Sequence, residues 1–359
     1  MTSSKNELLS RLGVQYPVFQ GPMGGGPSTP ELVAAVSNAG GLGSVGAAYL
    51  TPDGIVDAIR RIKALTDKPF QVNLFAGGWE VKLPSDTKPM LDVLAEIHAE
   101  LELPPPALPT LPADPFPTQL EAVLDAGVPI FSFTFGILNK GEIARLRKRG
   151  IVTIGTATTA QEARLLADTG VDAVVAQGAE AGAHRGTFAG PFESSMIPAL
   201  ELVRQIRAVS EIPVIVAGGM MDGRDIASAL ENGASAAALG TAFLPCPECG
   251  TSPAHKQAVL RATKDTTVIT RAFSGRPARG LQNDFINRLL GKENIILSYP
   301  LQNALTRTMR TEAARRGASK FLSLWAGTGV ARAREMPAGE LVKQLVNELD
   351  EVRQIGSPD

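Results

Sequence analysis

A chain of 359 residues is too long for one minimal domain and suits either one large α/β barrel with an added segment or two ordinary domains. Apolar residues make up 44% and charged residues 20%, and 35 Lys and Arg against 36 Asp and Glu leave a net charge of -1. That balance suits a soluble globular enzyme and argues against a nucleic-acid partner, while the polar N-terminus and the lack of any run of about 18 apolar residues predict a cytoplasmic protein without a membrane span.

In chain order, eight short apolar stretches read as strands. They are "PVFQG" near 17, "LGSVGA" near 42, "FQVNLF" near 70, "PIFSFTFG" near 129, "IVTIGT" near 151, "DAVVAQG" near 172, "PVIVAGG" near 213 and "SAAALGTAF" near 235. Helix-like segments end at a glycine and run straight into such stretches, as in "RKRGIVTIGTA" and "ADTGVDAVVAQG". Glycine just past a helix end adopts the left-handed conformation without steric cost, so each junction reads as helix, stop, strand. The strands are mostly apolar, as parallel strands covered on both faces are. Eight such units predict an α/β fold of the (β/α)8 TIM barrel type, with an open doubly wound sheet as the alternative.

The barrel is placed at residues 1–250, with an insertion over 80–118 after the third strand. The first half of this insertion looks helical, and its second half is too proline-rich for anything but extended loop. It leaves from the C-terminal end of a strand and is therefore positioned to overhang the active face. His98, on its helical part, reads as solvent-facing. Residues 251–320 read as a smaller, mostly helical segment near the barrel mouth, and 321–359 as a last helix returning to the barrel wall. Cys246 and Cys249 in "LPCPECGTSP" make half of a usual structural zinc site. They read as ordinary loop cysteines, with a redox dithiol as the other option, and no metal is expected.

Barrel enzymes place their sites at the C-terminal ends of the strands, often with phosphate held after strands seven and eight. Gly218 and Gly219 end strand seven, and Gly240 and Thr241 end strand eight. Small residues let backbone N–H groups approach a phosphate oxygen, and the threonine hydroxyl adds a donor. The amides Asn73 and Gln177 also sit at strand ends and need partners, either a ring such as a flavin or neighbouring backbone. His184 follows strand six in "AQGAEAGAHRGTF" on the same face, where an imidazole can act as a general base near neutral pH.

In order along residues 15 to 280, "QGPMGGG", "AAVSNAGGLGSVG", "QVNLF", "SFTFG", "AQGAEAGAHRG", "VIVAGGM" and "ALGTAF" resemble the nitronate monooxygenases, long called 2-nitropropane dioxygenases. The histidine loop is the most specific of these, although the family often has glycine where this chain has Ala183. The resemblance implies a barrel with noncovalent FMN that oxidises alkyl nitronates with molecular oxygen to carbonyl compounds and nitrite, a nitroalkane detoxification chemistry. It implies that Met23, Asn73, Gln177 and Gly182 line the flavin ring and ribityl chain. It further implies that Gly218, Gly219, Gly240 and Thr241 hold the phosphate and that His184 is catalytic. "YPLQN" and "LWAGTG" also look like the family's later part, which brings Tyr299, Gln302, Ser323 and Trp325 into consideration.

Two alternatives accompany this expectation: an FMN-dependent enoyl-acyl carrier protein reductase using NAD(P)H, and a non-catalytic flavin-binding protein. Arg185, Arg276 and Arg279 read as surface or structural arginines, with a substrate carboxylate as another use. No nucleic-acid or membrane partner is expected, and no heptad or charge pattern specifies an oligomer.

Overall fold

The computed structural model describes residues 6–80, 86–110, 113–264 and 266–355, so parts of the 80–118 insertion and both chain ends lie outside the described residues. The eight predicted strands form as β1 (Val18–Gln20), β2 (Gly43–Gly46), β3 (Phe70–Phe75), β4 (Ile130–Thr134), β5 (Val152–Ala157), β6 (Ala173–Gln177), β7 (Val214–Ala217) and β8 (Ala236–Leu239). From β2 to β8 each pairs in parallel with the next, and β8 pairs in parallel with β1. Leu42 closes the last gap. Its N–H donates to Val18 O at 3.0 Å and its carbonyl accepts from Gln20 N at 2.9 Å. The sheet is a closed barrel, and the open-sheet alternative falls.

Helices α1 (Glu7–Leu12), α2 (Pro30–Asn38), α3 (Pro52–Leu65), α4 (Lys88–Glu100), α5 (Phe116–Ala126), α6 (Lys140–Lys148), α7 (Ala160–Thr169), α8 (Ala199–Arg207) and α9 (Gly223–Glu231) precede or alternate with the strands. Their starts follow from local chemistry. Thr29, Thr51 and Thr159 accept N–H bonds as N-caps, and Asn139 with Glu142 and Asp222 with Asp225 form reciprocal capping boxes. Each such cap contributes about 1 kcal/mol.

Strand periodicity divides the barrel interior into a dry floor and a polar upper layer. Every second residue of a strand faces one side, so along β4 Phe131 and Phe133 join the outer core while Ile130, Ser132 and Thr134 point inward. Ile130 packs in the floor with Phe19, Leu42, Ile154 and Ile215, and α1 plugs it from below with Leu8, Leu9 and Leu12. One step higher, the inward residues turn polar: Gln71 and Asn73 on β3, Ser132 and Thr134 on β4, Thr156 on β5 and Gln177 on β6. The cavity-facing polar residues Asn73, Thr134, Thr156 and Gln177 thus fall toward the C-terminal ends of otherwise apolar strands.

After β8 the chain forms α10 (Pro253–Arg261), a hairpin of β9 (Thr267–Thr270) and β10 (Ala278–Leu281), then α11 (Asp284–Arg288), α12 (Leu301–Leu305) and α13 (Arg307–Arg316). The hairpin is a feature that the helical expectation for this segment lacked. Strand β10 also pairs antiparallel with Ala183 and His184, Ala278 opposite His184. Helix α4 docks on the same segment, where Glu100 bonds Arg288 at 2.5 Å and Lys320 at 2.8 Å. His98 is buried rather than solvent-facing, because Met90, Leu94, Ile97 and His98 fall on one helical stripe and its Nδ1 donates to Pro104 O at 2.6 Å.

The last helix, α14 (Ala338–Ile355), packs on α9 and α2, burying Leu341, Val342, Leu345 and Leu349. Each of these buried side chains contributes about 1.5–3 kcal/mol. Among the described residues, no helix is long and apolar enough to cross a membrane.

Candidate active site

The open end of the barrel holds a cavity of about 680 Å³ above the polar layer. His184 lines it together with Met23, Asn73, Gln177, Gly182, Gly218, Gly219, Gly240 and Thr241. One cavity therefore gathers all nine residues to which the sequence reading gave a cofactor-binding or catalytic role.

The histidine loop is fixed at every step. Glu180 accepts from Ala199 N at the start of α8 at 2.9 Å. Gly182 lies so close to the chain at Ala326 and Gly327 that a Cβ would come within 2.6 Å of Gly327 N. Ala183 has φ 63, a left-handed conformation that costs an alanine roughly 1–2 kcal/mol and a glycine little, which explains why glycine is frequent at this position of the family pattern. Gln177 spends one end of its amide on Gly186 N, accepting at 2.7 Å, and the other on His184 O, donating at 3.0 Å. Asn73 Nδ2 donates to Ser132 Oγ at 2.8 Å. Both amides thus find partners in the protein and keep one donor and one acceptor position for a ligand.

His184 itself is half-buried under an aromatic roof, with ring centroids of Trp325, Phe135, Tyr299 and Phe75 at 5.7, 5.9, 6.0 and 6.5 Å. Its Nε2 lies 2.8 Å from Ser274 Oγ. Burial, reinforced by the charges of Arg276 and Arg310, pushes its pKa down to about 3, so the ring is neutral at physiological pH. Among the described residues both cations bond only neutral oxygens. Arg310 donates to Thr306 Oγ1, Asn303 O and Asn303 Oδ1, and Arg276 to Arg185 O and Thr187 O while its guanidinium stacks 3.8 Å above Phe135. Arg310 thus brings to the cavity wall a positive charge that none of these bonds neutralises, and Glu162 acts on Arg276 only at longer range.

A family model described as nitronate monooxygenase matches residues 5–348. The chain belongs to the nitronate monooxygenase family. Two curated relatives, each named probable nitronate monooxygenase, agree with this. That of Staphylococcus saprophyticus is 38% identical over 95% of this chain and 96% of its own, and that of Staphylococcus aureus strain JH9 is 37% identical over 98% and 99%. Among solved structures, nitroalkane oxidase from Streptomyces ansochromogenes superposes with TM-score 0.89 at 42% identity, covering 98% of this chain and 100% of that one. FabK from Thermotoga maritima superposes with TM-score 0.76 at 25% identity, covering 98% of each. As a nitronate monooxygenase family member the protein is an oxidoreductase that works with a flavin.

The cavity of this family member fits a phosphorylated, ring-bearing cofactor on its own geometry. Gly218 and Gly219 take φ of 128 and 73, where a side chain would be strained, and a Cβ placed on Gly240 would meet nothing within 4 Å. Gly240 leaves open space where a side chain would stand, whereas a Cβ on Gly218 or Gly219 would press on Ala181 N at 3.0 Å or Glu180 Cβ at 3.3 Å. Thr241 Oγ1 accepts from Gly327 N at 2.9 Å and keeps its proton for another acceptor.

Several lining residues were not singled out from the sequence. His255 lines the cavity, with Nε2 donating to Trp325 O at 3.2 Å and burial pushing its pKa to about 4. Asn303, Arg307 and Arg310 line it from α12 and α13, and Ser323 and Trp325 line it rather than filling a separate core. Tyr299 reaches the His184 ring, but Gln302 turns away to Ala272 O at 2.7 Å. Arg185 is buried and structural, donating to carbonyls of Gly178, Gln177 and Ser195. Arg279 likewise braces Ala179 O at 3.0 Å.

Cys246 and Cys249 are both buried free thiols, and burial pushes Cys246 up to about 12, which disfavours a thiolate. Among the described residues no group of three or more His, Cys, Asp or Glu side chains is placed to hold a metal ion.

Proposed function

We propose that this protein is a cytoplasmic, FMN-dependent nitronate monooxygenase that converts alkyl nitronates and molecular oxygen to carbonyl compounds and nitrite. It also accepts neutral nitroalkanes through His184. The observation that carries this reading is a neutral histidine beside two cations that bond only neutral oxygens. Gly218, Gly219, Gly240 and Thr241 hold the cofactor phosphate, and Met23, Asn73, Gln177 and Gly182 line its ring and ribityl chain. FMN, when bound, supplies the electron-accepting chemistry, and the protein supplies orientation and electrostatics.

A nitronate arrives as an anion, and Arg310, which lines the cavity, meets it with positive charge, while Arg276 adds its charge from above the Phe135 ring. A neutral nitroalkane first loses its α-proton to His184, and the same cations stabilise the negative charge that develops. The aromatic roof excludes water from the proton transfer.

Arg310→Met is accordingly expected to raise KM for ethyl nitronate by about tenfold, the loss of roughly one charge interaction of 1.4 kcal/mol. KM for neutral nitroethane should change less. An equal rise on both substrates in steady-state assays would remove Arg310 from nitronate binding.

The pH dependence follows from the lowered pKa. A histidine near 3 instead of 6.5 stays deprotonated, and able to take a proton, at every pH above about 3. Arg276 from the β9–β10 turn and Arg310 from α13 are the charged groups acting on it, with Tyr299 beside the ring. The kcat/KM profile for nitroethane should therefore be flat through pH 6–7. A limb centred there and abolished by His184→Asn would show that the ring titrates normally. Protonating His184 also opposes folding, so its contribution to stability is full above 6.5 and is lost as pH falls toward 3.

The reading is tested by anaerobic mixing. Ethyl nitronate should bleach the bound flavin at once and NAD(P)H should not. The reverse pattern would favour an NAD(P)H-dependent reductase.

A further inference from the structure

A neutral imidazole carries one proton, and which nitrogen holds it decides which nitrogen can act as a base. Two of the three histidines declare their tautomer by bonding a carbonyl, which only accepts: His98 is protonated at Nδ1 by way of Pro104 O, and His255 at Nε2 by way of Trp325 O. His184 instead meets a hydroxyl, which can act either way. What surrounds that hydroxyl settles the direction.

Ser274 is buried, and its Oγ has three neighbours. It lies 3.1 Å from Arg276 O, 3.3 Å from Arg276 N and 2.8 Å from His184 Nε2. The carbonyl can only accept and the amide can only donate. The hydroxyl proton therefore goes to Arg276 O, one lone pair takes the Arg276 N–H, and the other is left for a proton on His184 Nε2. Only this arrangement satisfies all four groups at once.

The turn that carries Ser274 cannot drift. Gly275, at φ 80, is packed so tightly that a Cβ would lie 2.2 Å from Leu297 O and 2.6 Å from Tyr299 N. Ser274 sits in the connection between β9 and β10, and β10 pairs directly with the strand bearing His184.

We propose that Ser274 is a positioning residue that holds His184 as the Nε2–H tautomer and so makes Nδ1 the atom that receives the substrate proton. In that step the α-carbon C–H bond breaks, an N–H bond forms at Nδ1, and the electron pair stays on the substrate as its nitronate. The Nε2–H bond to Ser274 persists through the transfer, so the ring need not reorient as it becomes an imidazolium. Unlike a carboxylate, Ser274 adds no negative charge that would pre-protonate the base. The inference rests on the proposed role of His184 in deprotonating nitroalkanes, yet its first test is independent of turnover.

Long-range proton–nitrogen NMR of the flavin-loaded protein at neutral pH reads all three tautomers. His98 and His255 provide opposite references, and His184 is identified by its loss in His184→Asn. Protonation of His184 at Nε2 is expected, and protonation at Nδ1 overturns the proposal whatever the enzyme turns over.

In kinetics, Ser274→Ala should lower kcat for nitroethane by about tenfold, with KM little changed, and should affect ethyl nitronate less. Ser274→Thr, which keeps the hydroxyl, should recover most of the loss. Wild-type nitroethane turnover in a folded Ser274→Ala protein sinks the idea; if that variant does not fold, the wild-type spectrum still decides. Failure of the wild-type protein to turn over either nitro compound would instead remove the proposed function and leave the tautomer result standing.

Discussion

His184→Asn is expected to lower kcat/KM for nitroethane by about 10²- to 10⁴-fold, the range contributed by a positioned general base. Asparagine matches histidine only as far as the δ atoms, so it gives up the Nε2 bond to Ser274, and its amide cannot take up a proton near neutral pH. Ethyl nitronate needs no proton removed, so its turnover should fall far less. The comparison on one variant separates a role in proton transfer from a role in shaping the cavity. Steady-state oxygen consumption with both substrates measures it, and equal losses on the two would contradict the base assignment. The aromatic roof is untouched by the change, because Trp325, Phe135, Tyr299 and Phe75 also pack on one another or on other neighbours.

The second large effect concerns the cofactor. Gly240→Val should yield a folded but colourless protein. At Gly240 φ is -101, within reach of any residue, and no protein atom lies within 4 Å of the added Cβ. The added Cβ therefore meets no protein atom, and the side chain is expected to occupy the space proposed for the phosphate. Overpacking of about 1–3 kcal/mol or more corresponds to at least roughly tenfold to a hundredfold weaker flavin binding. Gly218, with φ of 128, would make a poorer test because strain alone could unfold the variant. The measurement is the ratio of flavin to protein absorbance after purification, together with the melting temperature of the flavin-free protein. Full flavin retention would place the phosphate elsewhere.

The parts of this molecule legible in the sequence were those governed by local chemistry. Strands such as "FQVNLF" and "IVTIGT" are short apolar runs bounded by helix-ending glycines, and all eight formed where those runs lie. Glycines and amides at the strand ends were visible for the same reason. The features missed depend on contacts far along the chain. Ser274 is 90 residues from His184, and neither residue signals the other locally. The hairpin β9–β10 left a trace in the β-branched run "TTVIT" followed by a turn containing Gly275 and Pro277, but the surrounding helical segments obscured it. Arg310 and His255 look like ordinary helix residues until α13 and α10 are folded over the barrel mouth. His98 is different: its stripe with Met90, Leu94 and Ile97 was present in the sequence and argued for burial.

The pairing of β10 with Ala183 and His184 sets an order on how the enzyme comes into being. All eight barrel strands have been synthesised by Leu239, yet the strand that pairs with the histidine and the serine that bonds its ring come only with residues 267–281. A chain that ends before residue 267 has all eight strands but lacks the strand that pairs with Ala183 and His184, and α14, which packs on α9 and α2, is still to come. On the role proposed for His184, competence for proton abstraction arrives late in synthesis, as a property of the finished polypeptide rather than of the eight strands alone.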